Sequence, residues 1–170
     1  MKSSFQRINY RSLNARQKEN YNFQKVSGAL ADYGFSTIRL SDDWQGADFI
    51  AQHTDGTTVR RVQLKARLTF SKKYSGKDLW MCFRDKNDDV YFFPHDEVAD
   101  SFLKSGRVMT DSMSWEAGAY SRGGIAKWMQ PILQKYRIPA KEEPNQALQH
   151  NDPGCHVSCL RTPRASRGRG

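Results

Sequence analysis

Residues 47–66, which read ADFIAQHTDGTTVRRVQLKA, decide the fold of this chain. The segments 47–53 and 57–66 are rich in residues that favour strands, and an Asp55-Gly56 pair lies between them. An Asp-Gly pair between such segments is a strong signal for a tight hairpin turn. The stretch therefore predicts two antiparallel strands that lie side by side.

The second strand of this hairpin has two chemically different faces. Val62 and Leu64 alternate with Gln63 and Lys65, and successive side chains of a strand point to opposite faces. Gln63 and Lys65 therefore share one polar face. Because the turn lies about midway between Asp48 and Gln63, the hairpin is expected to bring the Asp48 carboxylate beside them.

The chain before the hairpin predicts a helix over residues 13–34, with Asn14 as its N-cap and Gly34 just past its end. Glu19 lies on or near the apolar stripe of this helix, where a carboxylate is unexpected and suggests a function. The stripe itself repeats at helical spacing: Phe23, Val26, Leu30 and Tyr33.

The chain around and after the hairpin predicts an α/β (α+β) fold with one mixed sheet flanked by helices. The strand and loop expectations are a strand at 36–41, loops at 42–46 and 68–77, and strands at 78–84 and 89–93. The helix expectations are 95–104 and an amphipathic helix at 123–136 kinked at Pro131.

The polar face of the hairpin has the residue types that phosphodiester hydrolysis requires. Mg²⁺ takes oxygen ligands, often from only one or two carboxylates with water and substrate phosphate. Asp48 offers a carboxylate, Gln63 an amide oxygen and Leu64 a backbone carbonyl. Lys65 is expected to orient the attacking water and stabilise negative charge in the transition state. Glu19 could complete the metal site directly or through water.

These residues resemble a known signature. GAD at 46–48 followed by VQLK at 62–65 is similar to the D…(D/E)XK motif of the PD-(D/E)XK nuclease superfamily. Within it, the segments 11–26 and 42–49 are most similar to the small homing endonucleases encoded in bacterial group I introns. The resemblance covers about residues 5–138.

The resemblance implies a restriction-endonuclease-like core and a site-specific endonuclease that cuts double-stranded DNA with Mg²⁺, or with Mn²⁺ in its place. It carries catalytic roles to Glu19, Asp48, Gln63 and Lys65, and implies a homo-oligomer, a dimer or a tetramer. The sequence departs from the motif at two positions. The family often has proline where this chain has Ala47, and the family has an acidic residue where this chain has Gln63. The amide at Gln63 lowers the negative charge around the metal.

Length and charge agree with a DNA partner. The chain has 170 residues and a net charge of +9, and a basic protein gains affinity for polyanions by releasing their counterions. Residues 1–138 are predicted to form the nuclease domain and 139–170 a disordered basic tail. The cationic residues nearest the predicted site are the expected DNA contacts: Arg60, Arg61, Arg67, Lys72, Lys73 and Lys77.

The sequence also indicates where the protein works and how it could assemble. The N-terminus has no apolar signal segment, and no apolar run is long enough to cross a membrane. An odd number of cysteines without disulfide-like spacing, with Cys82 read as a core thiol, favours a reducing compartment. The expected location is the cytoplasm, in association with the nucleoid. Trp128 and Met129, taken as exposed on the last helix, are the expected interface between subunits.

Several alternatives remain open at this point. A restriction-like or Holliday-junction-resolving nuclease would keep the fold and change the substrate, and a non-catalytic DNA-binding module would keep only the fold. Each site residue also has a purely structural interpretation. Asp48 could cap a turn, Gln63 and Lys65 could form a solvated strand face, and Glu19 could be a surface charge.

Overall fold

A computed structural model, which describes residues 4–106 and 113–140, contains the predicted hairpin inside a larger sheet. Strand β2 (Ala47–His53) pairs antiparallel with β3 (Val59–Lys65). The turn contains Gly56 at φ +75°, a conformation that glycine adopts without strain. The hairpin read from the sequence is therefore confirmed.

Within the described residues, the main sheet has six strands in the order β1-β2-β3-β5-β6-β8, and β4 and β7 form a separate pair. β3 and β5 run parallel and the other neighbours antiparallel, so the sheet is mixed and the predicted α/β class is confirmed. The remaining strands are β1 (Phe35–Trp44), β4 (Leu68–Ser71), β5 (Leu79–Arg84), β6 (Val90–Pro94), β7 (Ala119–Arg122) and β8 (Arg137–Ile138). The helices are α1 (Ala15–Ala31), α2 (His95–Lys104), α3 (Met113–Glu116) and α4 (Gln130–Leu133).

Helix α1 begins at the predicted N-cap. The Asn14 side chain accepts a hydrogen bond from the Gln17 N–H, and the Gln17 side chain accepts one from the Asn14 N–H, which completes a capping box. The helix buries most of its predicted stripe against the sheet: Phe23, Val26 and Leu30. Tyr33 lies beyond the end of the helix and is 52% exposed, so the predicted stripe is one residue too long.

The sheet has a different hydrophobic layer on each face. On one face, α1 packs against a cluster that includes Phe49, Val62 and Cys82. On the other face, α2, α4 and the β4–β7 pair pack against a cluster that includes Met81 and Phe83. Successive side chains of a strand alternate between the two faces of a sheet, and Val62 lies on the α1 face. Gln63 and Lys65 therefore lie on the α2 face, opposite Met81 and Phe83 of β5.

Two segments predicted as loops contain strands. Strand β1 continues to Trp44, past the predicted end at residue 41. The polar segment 68–77 contains β4 and a short 3-10 turn, Lys72–Tyr74. The lysines and serines of this segment led to the prediction of a loop. The segment nevertheless contributes two almost completely buried side chains, Phe70 and Tyr74.

The last predicted helix, at 123–136, is wrong as a continuous element. Four-residue α4 is flanked by two 3-10 turns, and Pro131, which cannot donate a backbone hydrogen bond, lies in its first turn. The predicted exposure of Met129 is also wrong, and Trp128 is only partly exposed. Met129 is fully buried, and the ring centroid of Trp128 is 5.2 Å from that of Phe102 in the same core.

Cys82 is buried, as predicted, and burial raises the pKa of its thiol, which makes it unreactive. No helix in the described part of the chain is long and apolar enough to cross a membrane. The domain boundary at residue 138 stays a prediction, since 141–170 lie outside the described residues, although the Ala140 N–H still donates to Asp89 at 2.9 Å.

Candidate active site

The candidate site lies where β2 and β3 separate at the end of the hairpin remote from its turn. The last paired residues there are Phe49 and Val62, and the same register one step further places Asp48 opposite Gln63. Beyond that pair the Asp48 carboxylate accepts the Leu64 N–H at 2.7 Å. The side chain of Asp48 thus holds the two strand ends together.

Gln63 is held against this carboxylate. Its side-chain nitrogen donates to the Asp48 oxygen that also binds the Leu64 N–H, and lies 3.4 Å from the Leu64 carbonyl oxygen. Gln63 is only 7% exposed, which is unusual for a glutamine on a predicted solvated face. The interpretation of Gln63 as an ordinary surface residue is therefore not supported by its surroundings.

Lys65 lies on the same face, two residues after Gln63. Its ammonium nitrogen is 5.4 Å from the centre of the Tyr74 ring, within the range of a cation–π contact. Tyr74 is 1% exposed, so the cation rests on a ring that the core holds in place. The hairpin thus brings Gln63 into contact with Asp48 and places Lys65 on the same face of β3 as Gln63.

Glu19 has a different partner. Its carboxylate forms an ion pair with the guanidinium of Arg39 on β1, which also lies 5.3 Å from the centre of the Phe23 ring. Arg39 is the strand partner of Phe49, whose side chain packs on the α1 face. Glu19 is therefore engaged on the α1 side of the sheet, and its role in metal binding stays a prediction.

The donor chemistry of the site is compatible with a hard divalent ion. Within residues 4–106 and 113–140, no group of three or more His, Cys, Asp or Glu side chains is placed to hold a metal. The available oxygens are those of the Asp48 carboxylate, the Gln63 amide and the Leu64 carbonyl, which suits an ion that needs few protein carboxylates. Because Gln63 directs its nitrogen to Asp48, ligation through its oxygen requires the amide to turn.

Lys65 also lines a cleft of about 880 Å³. The cleft opens at the carboxyl ends of the parallel strands β3 and β5, between the start of α1 and the end of β7. Two of its acidic residues, Asp88 and Asp89, form ion pairs with Arg84 and Arg137 of the same cleft. The lining has a cationic excess, from Arg11, Lys65, Arg67, Arg84, Lys86, Arg122 and Arg137.

Of the six cationic residues predicted to contact DNA, Arg67 lines this cleft. Arg61 instead donates to the backbone carbonyl of Lys77 at 2.6 Å, which ties β3 to the start of β5. Three others lie over aromatic rings, 5.0, 5.4 and 4.9 Å from the ring centres: Arg60 over Trp80, Lys72 over Trp115 and Lys73 over Tyr74.

Sequence reasoning did not single out four further cationic residues of the cleft, which are Arg84, Lys86, Arg122 and Arg137. Arg84 ends β5 as Lys65 ends β3, and it lies 5.6 Å from the Tyr10 ring centre and 5.1 Å from the Tyr21 ring centre. The signal that could have found it is a basic residue at the end of a strand parallel to β3. That signal becomes visible only when the parallel pairing is known.

Comparisons with known proteins found likenesses among solved structures. No protein-family model matches the sequence, and no curated protein is significantly similar to it. The Holliday junction resolvase Hjc from Archaeoglobus fulgidus is similar with a TM-score of 0.36 and 18% identity, over 45% of this chain and 72% of that one. The bacterial homing endonuclease I-Ssp6803I is similar with a TM-score of 0.41 and 14% identity, over 72% of this chain and 94% of that one.

Proposed function

We propose that this protein is a metal-dependent DNA endonuclease that hydrolyses phosphodiester bonds at the open end of the β2–β3 hairpin. One observation carries the proposal: Gln63 and the Leu64 N–H bind the Asp48 carboxylate, and Lys65, on the same strand face as Gln63, lines a cationic cleft. A buried amide and a carboxylate with cross-strand partners add little to packing, whereas both are suitable ligands for an ion that activates a phosphate.

The chain's own residues would act in the following way. Asp48, Gln63 and the Leu64 carbonyl would hold Mg²⁺, or Mn²⁺ in its place. The bound ion would polarise the scissile phosphate and lower the pKa of a bound water. The Lys65 ammonium would neutralise charge that develops on the phosphate oxygens. Glu19 would join the site only if its ion pair with Arg39 opened.

The cleft supports DNA as the substrate. A phosphate backbone lying in it would meet the cationic side chains of Arg67, Arg84 and Arg122. Phosphate contacts of this kind position a duplex and carry no information about sequence. The pairing of Asp88 and Asp89 with arginines reduces the repulsion that a polyanion would otherwise meet there.

A homing endonuclease is the finer proposal, and it rests on the sequence resemblance over segments 11–26 and 42–49. Such an enzyme cuts a long site in both strands, and a chain of 170 residues would read one most simply as a symmetric homo-oligomer. We propose a dimer or tetramer whose interface is not the buried Met129.

The test is a cleavage assay with the full chain, with and without Mg²⁺. Three DNA substrates are compared. The first is a duplex in which the two sequences that flank the proposed host intron are joined directly. The second is an unrelated duplex, and the third is a four-way junction. The expected result is Mg²⁺-dependent double-strand cleavage of the first substrate alone. Cleavage of the junction whatever its sequence would favour a resolvase instead.

The non-catalytic alternative gives a different result in the same assay. A DNA-binding module would shift each labelled duplex in a gel and leave it intact with Mg²⁺ or Mn²⁺. Binding without cleavage under all of these conditions would therefore contradict the proposed activity, whatever the affinity measured.

A further inference from the structure

The Tyr74 ring lies beneath the Lys65 ammonium and beside the turn that leads into Asp48. The residue lies in the short turn after β4 and is 1% exposed, although its neighbours Lys72, Lys73 and Ser75 are exposed. The Lys65 ammonium is 5.4 Å from its centre. An aromatic ring buried beneath a site lysine can do more than fill the core.

The turn before Asp48 rests on the same ring. Gly46 has φ +97°, and a β carbon placed on it would lie 3.0 Å from Tyr74 Cε1 and 3.1 Å from Cδ1. A side chain at this position would therefore push against the ring. The absence of one lets the chain that leads into Asp48 approach Tyr74 closely.

The ring is held in turn by a buried histidine. The His95 ring, which is 0% exposed, lies 5.8 Å from the Tyr74 ring in an edge-on arrangement. His95 accepts the Ser71 N–H at 3.3 Å through Nε2, and its Nδ1–H donates to Asp96 at 2.7 Å. The start of α2 is thereby linked to the segment that carries Tyr74.

We propose that Tyr74 is a positioning residue, which holds the Lys65 ammonium at the scissile phosphate through its ring face. The inference rests on the proposed nuclease function and adds a residue that the sequence motif does not contain. The face of an aromatic ring attracts a cation electrostatically, and burial of the ring strengthens the attraction. A fixed ring limits the positions open to a long lysine side chain, which otherwise samples many rotamers.

A purely structural role for Tyr74 makes a different prediction. Removing a buried aromatic ring leaves a cavity and lowers stability wherever the ring lies. Phe102 provides the matched control, because it is fully buried in the same hydrophobic cluster and contacts Phe70 and Trp128. Both Tyr74→Leu and Phe102→Leu should lower the unfolding temperature, so stability alone does not separate the two roles.

The activity test compares single-turnover cleavage by folded enzyme with DNA affinity measured in Ca²⁺. Tyr74→Leu should slow cleavage about tenfold, which corresponds to roughly 1.4 kcal/mol, with DNA affinity changed less than about twofold. Tyr74→Phe should retain nearly the wild-type rate because it keeps the ring. Phe102→Leu should cleave at the wild-type rate below its unfolding temperature. Equal rates for Tyr74→Leu and Phe102→Leu would overturn the proposal.

A second measurement separates failure of this inference from failure of the nuclease proposal. Lysines are labelled by ¹³C reductive methylation, and the Lys65 signal is assigned by its loss in Lys65→Arg. A ring beneath the ammonium should displace that signal upfield in the wild type and in Tyr74→Phe, but not in Tyr74→Leu. A signal unchanged by Tyr74→Leu would overturn the positioning role, even if no DNA is cut.

Discussion

The hairpin of β2 and β3 carries an aspartate at each end, and the two differ in the source of their hydrogen bonds. At the turn, Asp55 accepts the N–H groups of Thr57 and Thr58 at 2.8 and 2.7 Å and the Thr58 hydroxyl at 2.7 Å. At the open end, Asp48 accepts the Leu64 N–H, from a residue sixteen positions away. One carboxylate is satisfied by its neighbours in sequence and the other by the opposite strand.

The difference separates a folding role from a chemical one. Asp55 is exposed, and its local hydrogen bonds lower the pKa of its carboxyl group, as expected for a residue that closes a turn. Asp48 is partly buried beside Gln63, on the strand pair whose Lys65 lines a cationic cleft. Removing the charge of Asp48 is therefore expected to lower activity, whereas removing the charge of Asp55 is expected to lower stability.

The largest effect is expected from Asp48→Asn. The variant keeps an oxygen that can accept the Leu64 N–H but loses the carboxylate charge that would hold a divalent ion. Single-turnover cleavage with Mg²⁺ should fall about a thousandfold, while the unfolding temperature stays close to the wild-type value. Asp55→Asn is the matched control at the other end of the hairpin and should cleave at the wild-type rate. Full activity of Asp48→Asn would refute the site.

A smaller loss is expected from Lys65→Ala, also at the open end. Removing one cation that stabilises the transition state should slow cleavage about a hundredfold and change DNA affinity much less. The matched control is Lys104→Ala, which removes an exposed lysine from the last turn of α2. If both variants lost the same activity, general charge rather than a positioned ammonium would be responsible.

Contacts in the cleft should affect binding more than rate. Arg122→Ala removes an exposed cation at the end of β7 and should weaken DNA binding several-fold in Ca²⁺. The slope of log affinity against log salt concentration should fall by about one, as for the loss of one phosphate contact. Lys104→Ala again provides the control, and an Arg122→Ala slope equal to its slope would mean that DNA does not enter the cleft.

The smallest effect is expected at the turn, and it depends on pH. Because folding lowers the pKa of Asp55, its charge stabilises the protein above the unfolded value of about 3.9. That contribution is lost as the pH falls towards the folded value. The unfolding temperature of Asp55→Asn should lie below that of the wild type at about pH 6, and the gap should narrow towards about pH 3. A gap that stays constant with pH would contradict this role.

Features controlled by local interactions could be predicted from the sequence. The Asp55-Gly56 turn, the N-cap at Asn14 and the bounds of α2 depend on residues within a few positions of one another. The alternation that places Gln63 and Lys65 on one face follows from strand geometry. The contact between Asp48 and Gln63 could therefore be predicted from the sequence, while the catalytic roles of these residues stay a prediction.

The tertiary structure decided which distant segments meet. The pairing of β3 with β5 is parallel, and this brings Arg84 to the end of the sheet where Lys65 lies. The fold also buries Tyr74, which belongs to an otherwise polar segment. It pairs Glu19 with Arg39 on the α1 side of the sheet. The sequence by itself determined the hairpin and its polar face, because turn chemistry and strand alternation act over a few residues. The cleft and the support beneath Lys65 depend on packing between elements far apart in the chain, which no short-range pattern encodes.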